Sequence, residues 1–374
     1  MNEKYYSLRN ILSKDAIYNL IFGERSNGKT FSVLEYGIIE WVNSNEKNQI
    51  GIIRRWDEDF KGKNGEQQFD GFIHNKKGNL IEKLTKGKYN NIKYQSRRWY
   101  MCNTSVDEKG NVKDEVCVRP FAIAFSLTNC EHYKSLSFND ITTILFDEYI
   151  TRKYYLPQEF IDFQNVLSTI IRDRDNVKIF MCGNSVNKYC VHHLEMGLNH
   201  IPKMKKGDID VYNYGESGLV VAVEYSDSPS KKGKKSDKYF AFDNPKLKMI
   251  TSGEWEIDIY PHLPYKYKPK DIIYNYFISF NSELLHCEVI RVDKDIFTFI
   301  HRKTTPIKED EKGMIFSNDL SSPKMNYRRK INKPTTKLEK NIYTFFIRDK
   351  VFYQDNDVGE VVRNYLMWCK TSEN

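Results

Sequence analysis

Gly23-Glu24-Arg25-Ser26-Asn27-Gly28-Lys29-Thr30 satisfies the G-x-x-x-x-G-K-[ST] phosphate-binding pattern, and its flanks decide how the first half of the chain folds. The apolar run Ile17-Tyr18-Asn19-Leu20-Ile21-Phe22 precedes it, and Phe31, Leu34, Ile38, Trp41 and Val42 follow near one helical face. A strand that enters a glycine-rich turn and leaves it as a helix gathers successive backbone N–H groups around one place, which suits a polyphosphate. Gly23, Arg25, Ser26, Asn27 and Gly28 form the cradle, Lys29 reaches the β- and γ-phosphates, and the Thr30 hydroxyl holds Mg²⁺. The expected cofactors are ATP and Mg²⁺.

The 374 residues, 40% of them hydrophobic, suffice for one large domain or two ordinary ones. No apolar signal core opens the chain, and no stretch approaches the ~18 apolar residues of a membrane span, so no membrane contact is expected. Seven scattered cysteines without a C-x-x-C pair favour a reduced intracellular chain over a stapled secreted one. A formal charge of +8 is compatible with a polyanion partner without requiring one. The densest basic cluster, Lys231-Lys232-Gly233-Lys234-Lys235, reads as a solvated linker or as a mobile basic arm.

Up to about Tyr225, short apolar runs alternate with helical ones, as in an α/β core. Gln49–Ile53, Phe121–Phe125, Thr143–Phe146 and Val177–Cys182 read as strands, and Leu219–Tyr225 as a candidate closing strand. Residues 60–120 are polar and irregular, which suggests an insertion or small subdomain. Further on, Tyr274–Phe280, Leu284–Val292 and Ile296–His301 suggest an antiparallel meander, Ile342–Phe346 a further strand, and Asp357–Cys369 a helix. The expected organisation is a nucleotide-binding domain over 1–205, a linker with a candidate closing strand over 206–238, and a smaller α+β domain over 239–374.

A phosphate loop that supports hydrolysis needs a second, acidic strand end. Ile144-Leu145-Phe146-Asp147-Glu148 supplies it: Asp147 leaves the apolar strand toward Mg²⁺, and Glu148 faces the attacking water as catalytic base. Asn184, at the end of the next strand, is placed to sense the γ-phosphate, or is an ordinary turn residue. Arg172 and Arg174 follow a helix expected over Glu159–Ile171 and are candidates for an arginine acting on a neighbour's nucleotide, or for surface ion pairs. Arg54 and Arg55, ending the second strand, either touch the nucleotide or form an ion-paired rim. Tyr5, Tyr6, Tyr265 and Tyr267 are candidates for base stacking, and His192-His193 reads as local packing.

Together, G-E-R-S-N-G-K-T at 23–30, R-R-W at 54–56, T-T-I-L-F-D-E-Y-I at 142–150, I-I-R-D-R-D at 170–175 and C-G-N-S at 182–185 resemble the DNA-packaging ATPases of small tailed phages, the phi29-type encapsidation proteins. These are terminase-like members of the additional-strand (ASCE) branch of P-loop enzymes. The resemblance implies an ASCE core followed by a degenerate RNase H-like domain that contacts DNA or the portal. It implies that Lys29 and Thr30 bind phosphate and Mg²⁺, and that Asp147 and Glu148 are the Walker B aspartate and catalytic glutamate. The family's trans-acting arginine finger falls on Arg172. Lys134, thirteen residues before Asp147, is similar to a lysine proposed to act across the subunit interface.

Further implications are a homopentameric ring on the portal of a procapsid, duplex DNA in its pore, and packaging RNA or terminal protein as candidate partners. The place of action would be the host cytoplasm and, transiently, the portal vertex. Asp243, Asp258, Asp293 and Asp295 form no evident acidic triad, so an active two-metal nuclease is not expected. The leading reading is therefore an ATP-driven translocase of double-stranded DNA. A helicase or AAA-like remodelling ATPase, and a nucleotide-regulated scaffold, are the alternatives.

Overall fold

Ten strands form one sheet around the phosphate loop in the computed structural model, which describes residues 6–153, 155–227, 258–264, 266–281, 283–308, 312–319 and 325–371. In chain order they are β1 (Tyr18–Gly23), β2 (Gln49–Arg54), β3 (Asn91–Gln95), β4 (Arg98–Val106), β5 (Val112–Val116), β6 (Ala122–Ser126), β7 (Ile141–Asp147), β8 (Lys178–Asn184), β9 (Ile209–Asn213) and β10 (Val220–Ser226). The spatial order is β3-β4-β6-β2-β7-β8-β1-β10-β9, with β5 paired to β4. β6, β2, β7, β8, β1 and β10 run parallel, so the phosphate loop after β1 and the acidic end of β7 share one sheet edge. One strand, β8, stands between them.

Helices cover both faces, which is why the parallel strands read as continuous apolar runs. Helix α1 (Lys29–Asn43) lays Val33, Leu34 and Ile38 into a core with Ile50, Ile52, Leu145 and Phe180. On the other face, Phe163 of α2 (Glu159–Ile171) meets Phe146, ring centroids 4.9 Å apart. The alternation of Leu145 and Phe146 between the two helices is the two-residue period of a strand.

Two expectations for this half change. The polar region 60–120 contributes β3, β4 and β5, an antiparallel extension of the same sheet. The stretch expected as a linker from 206 holds β9 and β10, and β10 pairs directly with β1. Backbone contacts divide the chain into one unit of Met1–Arg152 with Glu159–Glu254 and another of Lys153–Gln158 with Trp255–Asn374. The lysine-rich run at 231–235, the boundary at 238/239, Asp243, Tyr5 and Tyr265 lie outside the described residues. Among the described residues, no helix is long and apolar enough to cross a membrane.

The second unit has the expected meander: β11 (Ile272–Phe280), β12 (Glu283–Val292) and β13 (Asp295–Arg302), all antiparallel. β14 (Met314–Ser317) joins β11 in parallel, β15 (Tyr327–Arg328) joins β14, and β16 (Val351–Tyr353) joins β13. Helix α4 (Asn356–Thr371) buries Val358, Val361, Val362, Tyr365 and Cys369, with Tyr365 against Phe280 at 5.8 Å.

The strand expected at Ile342–Phe346 is instead part of helix α3 (Lys337–Ile347). Its cause is a capping box. The Thr336 hydroxyl accepts from the Glu339 N–H at 3.2 Å, and the Glu339 carboxylate accepts from the Thr336 N–H at 3.3 Å. The T-x-x-E signature outweighs the β-propensity of Ile342, Tyr343 and Phe345 because it satisfies backbone donors at the helix start.

Burial opposes ionisation of Glu339, but the Thr335 and Thr336 donors and Arg328 outweigh it and hold the carboxyl down to about 2. A depressed carboxyl stabilises the fold above its unfolded value and loses that contribution as pH falls from 4.5 toward about 2. Glu339→Gln is therefore expected to lower the urea midpoint at neutral pH, with the gap to wild type narrowing at about pH 3. A gap that stays constant with pH would refute this role.

Candidate functional site

The cradle depends on backbone that only certain residues adopt. Gly23 has φ +151°, and a Cβ there would lie 2.4 Å from the Ser226 Oγ and 2.9 Å from the Ser226 carbonyl oxygen. Gly28, at φ 94°, turns the chain into α1. Ser26 takes the left-handed region at φ 57°. Lys29 is 5% exposed, and its Nζ donates to the Glu24 carbonyl at 2.7 Å and to Asn27 Oδ1 at 3.1 Å. Burial pulls its ammonium down to about 8, against the nearby Asp147 and Glu24. An ammonium held by neutral oxygens in a buried turn is suited to a polyanion.

Asp147 ends β7 as a buried residue and accepts from the Thr30 hydroxyl at 2.7 Å. Its other oxygen accepts from Arg54 Nη2 at 2.6 Å. These hydroxyl and carboxylate oxygens are hard donors that fit Mg²⁺, which when bound would neutralise phosphate charge. The next residue, Glu148, takes φ 59°, and this one-residue left-handed step turns its side chain outward to 64% exposure. Arg54 Nη1 lies 3.5 Å from it. Arg54 thus bridges the two acidic residues, as the ion-paired reading allowed.

Arg55 goes elsewhere. Its Nε and Nη2 donate to the two Glu159 oxygens at 2.7 and 2.8 Å, and Nη1 and Nη2 donate to the Glu148 and Tyr149 carbonyls at 3.3 and 3.0 Å. His192 Nε2 faces Glu159 Oε1 at 3.1 Å, entirely buried. Arg55 is therefore not at the phosphate loop. It braces the backbone of the Asp147-Glu148-Tyr149 turn from behind, because a guanidinium this deep requires a carboxylate and carbonyls. The buried Glu159 that demanded it carries no local sequence signal.

Asn184 stands level with Gly23 across the β1–β8 pairing, beside the start of the loop. Arg172 and Arg174 lie at the opposite edge of the sheet. Arg174 donates to the carbonyls of Phe138, Asn139, Ile141, Ile170 and Ile171, so it ties the end of α2 to the start of β7. β7 rises about 20 Å between that edge and Asp147. Arg172 is exposed, has φ 49°, and donates to the Leu136 carbonyl at 2.6 Å. Lys134, paired with Glu131 at 2.6 Å, opens the same short loop. The fold brings Lys134 and Arg172 together and holds both away from their own phosphate loop.

Three supporting residues escape a motif reading. Asn27 Nδ2 donates to Ser226 Oγ at 3.0 Å, and Ser226 Oγ donates to the Phe22 carbonyl at 2.9 Å, so the end of β10 props the loop. The Tyr6 N–H donates to the Asn27 carbonyl at 3.0 Å, while its hydroxyl donates to Glu224 at 2.6 Å. Tyr6 is thus a strap over the loop with a buried ring, and the Tyr267 hydroxyl is taken by Glu288; neither offers a free stacking face. Long sequence separation hides all of this. His192 and His193 are buried packing, and burial holds His193 down to about 3.

A sequence-family model described as podovirus DNA encapsidation protein (Gp16) matches residues 1–240. The DNA packaging protein of Bacillus phage phi29 is 23% identical over 233 residues, 62% of this chain and 59% of that protein. The chain therefore spans under two thirds of the length of that curated relative. Two solved structures share the fold: the Phi-28 gp11 DNA packaging motor (TM-score 0.55, 14% identity, 100% of both chains) and the bacteriophage Phi-29 viral genome packaging motor assembly (TM-score 0.52, 18% identity, 96% of this chain and 97% of that one).

Lys29 yields a pH prediction. With its ammonium at about 8, the charge that meets a phosphate is lost as pH rises through that value. Affinity for ATP should fall about tenfold per pH unit above about 8, read with a fluorescent ATP analogue. A flat profile to about pH 10 would show that Lys29 does not carry the charge.

Proposed function

The chain belongs to the podovirus DNA encapsidation protein family, and on that premise we propose that it is an ATP-hydrolysing motor that drives double-stranded DNA into a procapsid. The observation that carries the hydrolytic part is the Thr30–Asp147 contact of 2.7 Å with Glu148 turned out beside it. Thr30 and Asp147 hold Mg²⁺, Lys29 the β- and γ-phosphates, and the cradle of Gly23, Arg25, Ser26, Asn27 and Gly28 the remaining charge. Glu148 orients and deprotonates the attacking water, and Asn184 reports the γ-phosphate. Strand β8 between β1 and β7 supports assignment to the additional-strand branch of P-loop enzymes.

Arg172 is the trans finger in this reading, with Lys134 beside it. Its support is position: Arg172 is exposed at the edge remote from its own site, so a neighbouring subunit's nucleotide is the one it could meet. Arg174 is excluded by its five carbonyl partners, which a finger would have to abandon. A finger in trans requires a ring; we propose a homopentamer on the portal, with packaging RNA or terminal protein as further partners and the portal vertex as the place of action. Basic side chains would hold DNA phosphates without reading sequence.

The second unit is proposed to be a degenerate RNase H-like domain for DNA or portal contact, without active two-metal nuclease. Its three antiparallel strands extended by parallel β14 and β15 support the fold reading. Asp258 lies 3.9 Å from Arg363, whereas Asp295 starts β13 and pairs with Lys350. These acids do not share one place.

Two experiments test the proposal. Glu148→Gln is expected to retain ATP binding and cut turnover by at least about a hundredfold. Unchanged turnover would favour a nucleotide-regulated scaffold. Arg172→Ala subunits mixed with Lys29→Ala subunits are expected to regain ATPase activity that neither has alone, while Arg174→Ala loses thermal stability. No recovery at any mixing ratio would remove Arg172 from the trans role.

A further inference from the structure

Within the second unit, β12 and β13 bring two imidazoles and a carboxylate to one face. His286 and Glu288 are two residues apart on β12 and so share that face. His301 on β13 is directly opposite His286 in the antiparallel register. One ligand atom from each of the three lies within 4.8 Å of the others, and among the described residues this is the one such grouping of three potential metal ligands.

The hydrogen bonds orient these atoms. His301 Nδ1 lies 3.2 Å from the Arg302 carbonyl oxygen, which can only accept, so Nδ1 carries the ring proton. In the neutral ring, Nε2 then turns its lone pair toward Glu288 Oε2, 3.6 Å away. The Tyr267 hydroxyl already donates to that same carboxylate. Burial works to raise the Glu288 carboxyl, yet contacts with His301 and Tyr267 hold it below its ordinary range, so it faces the imidazole as an anion. A lone pair and a carboxylate at that separation repel unless positive charge sits between them.

We propose that His286, Glu288 and His301 form a binding site for one divalent transition-metal ion of the zinc class, with a fourth position open to water. Two nitrogen donors and one oxygen select zinc-like ions over Mg²⁺ and Ca²⁺, which take oxygen ligands. Tetrahedral ligands about 2.0–2.2 Å from such an ion stand about 3.3–3.5 Å apart, so the three atoms need only close slightly through side-chain rotation. The Arg302 carbonyl on Nδ1 and the Tyr267 hydroxyl on Glu288 are the outer partners that metal ligands require. Phe277, stacked on His286 at 5.1 Å, and Phe299, 5.5 Å from His301, provide apolar walls. One nitrogen-rich site differs in kind from the paired oxygen-rich sites of a two-metal nuclease, so the assignment is independent of the motor reading.

The test titrates the tag-free, chelator-stripped full chain with Co²⁺ alone, without nucleotide. Expected is one equivalent bound with the visible ligand-field absorption of a four-coordinate site, displaced by Zn²⁺. His286→Ala and His301→Ala should each abolish that absorption, and Tyr267→Phe should weaken binding about tenfold to a hundredfold. Should His286→Ala fail to fold, His301→Gln carries the same test, since that side chain is 27% exposed. Absence of the absorption, or its persistence in the folded histidine variants, overturns the proposal and leaves a protonated imidazolium–carboxylate pair.

Discussion

A 2.7 Å hydrogen bond between Thr30 and Asp147 joins two segments more than a hundred residues apart, and the first unit is arranged around making it. It requires the ends of β1 and β7 to lie at one level with β8 between them. The pairing does this, setting Gly23 level with Asn184 and Asp147 level with Cys182. Parallel strands cannot be joined by tight turns, so each return needs a crossover, and the helices in those crossovers cover both faces. The apolar character of β1, β2, β7 and β8 follows from that covering. The site is therefore a consequence of strand order, with the loop residues contributing the chemistry.

Around that bond the side chains divide by what burial permits. Asp147 is kept charged by Thr30 and Arg54, while Glu148, one residue later, escapes to solvent through a left-handed step. Arg55 and Glu159 form a buried pair whose spare donors hold the carbonyls of Glu148 and Tyr149. A pair of this kind adds little net stability, but losing one partner strands a charge at a cost of ~3–5 kcal/mol. Its effect is to make the turn that presents Glu148 rigid. Asn27, Ser226 and Tyr6 do the same for the phosphate loop through neutral hydrogen bonds.

The second unit shows how local signals compete. The meander was legible because Tyr274–Phe280, Leu284–Val292 and Ile296–His301 are β-rich runs separated by short polar turns. The segment around Ile342 was not read correctly from its β-branched and aromatic residues, although Thr336 and Glu339 carried the opposing capping signal three residues apart. The polar stretch 60–120 and the strands β9 and β10 misled for another reason. Edge and closing strands need only one apolar face, and β5, exposed along its whole length, has none.

By itself the sequence determined the strand–loop–helix at 18–43, the acidic strand end at 147–148 and the helix Glu159–Ile171, because each is encoded by residues within one or two turns of each other. Glycine at 23 and 28, apolar periodicity and a carboxylate ending a buried run are local requirements and leave local traces. The tertiary structure alone decided that Arg54 reaches Asp147 while its neighbour Arg55 turns to Glu159, that Arg174 is a tie and Arg172 is exposed, and that Ser226 props the loop. Those outcomes rest on partners roughly thirty to two hundred positions away. The cost of burying a charge or an unpaired donor is set by which residues surround it, and only the fold supplies that list.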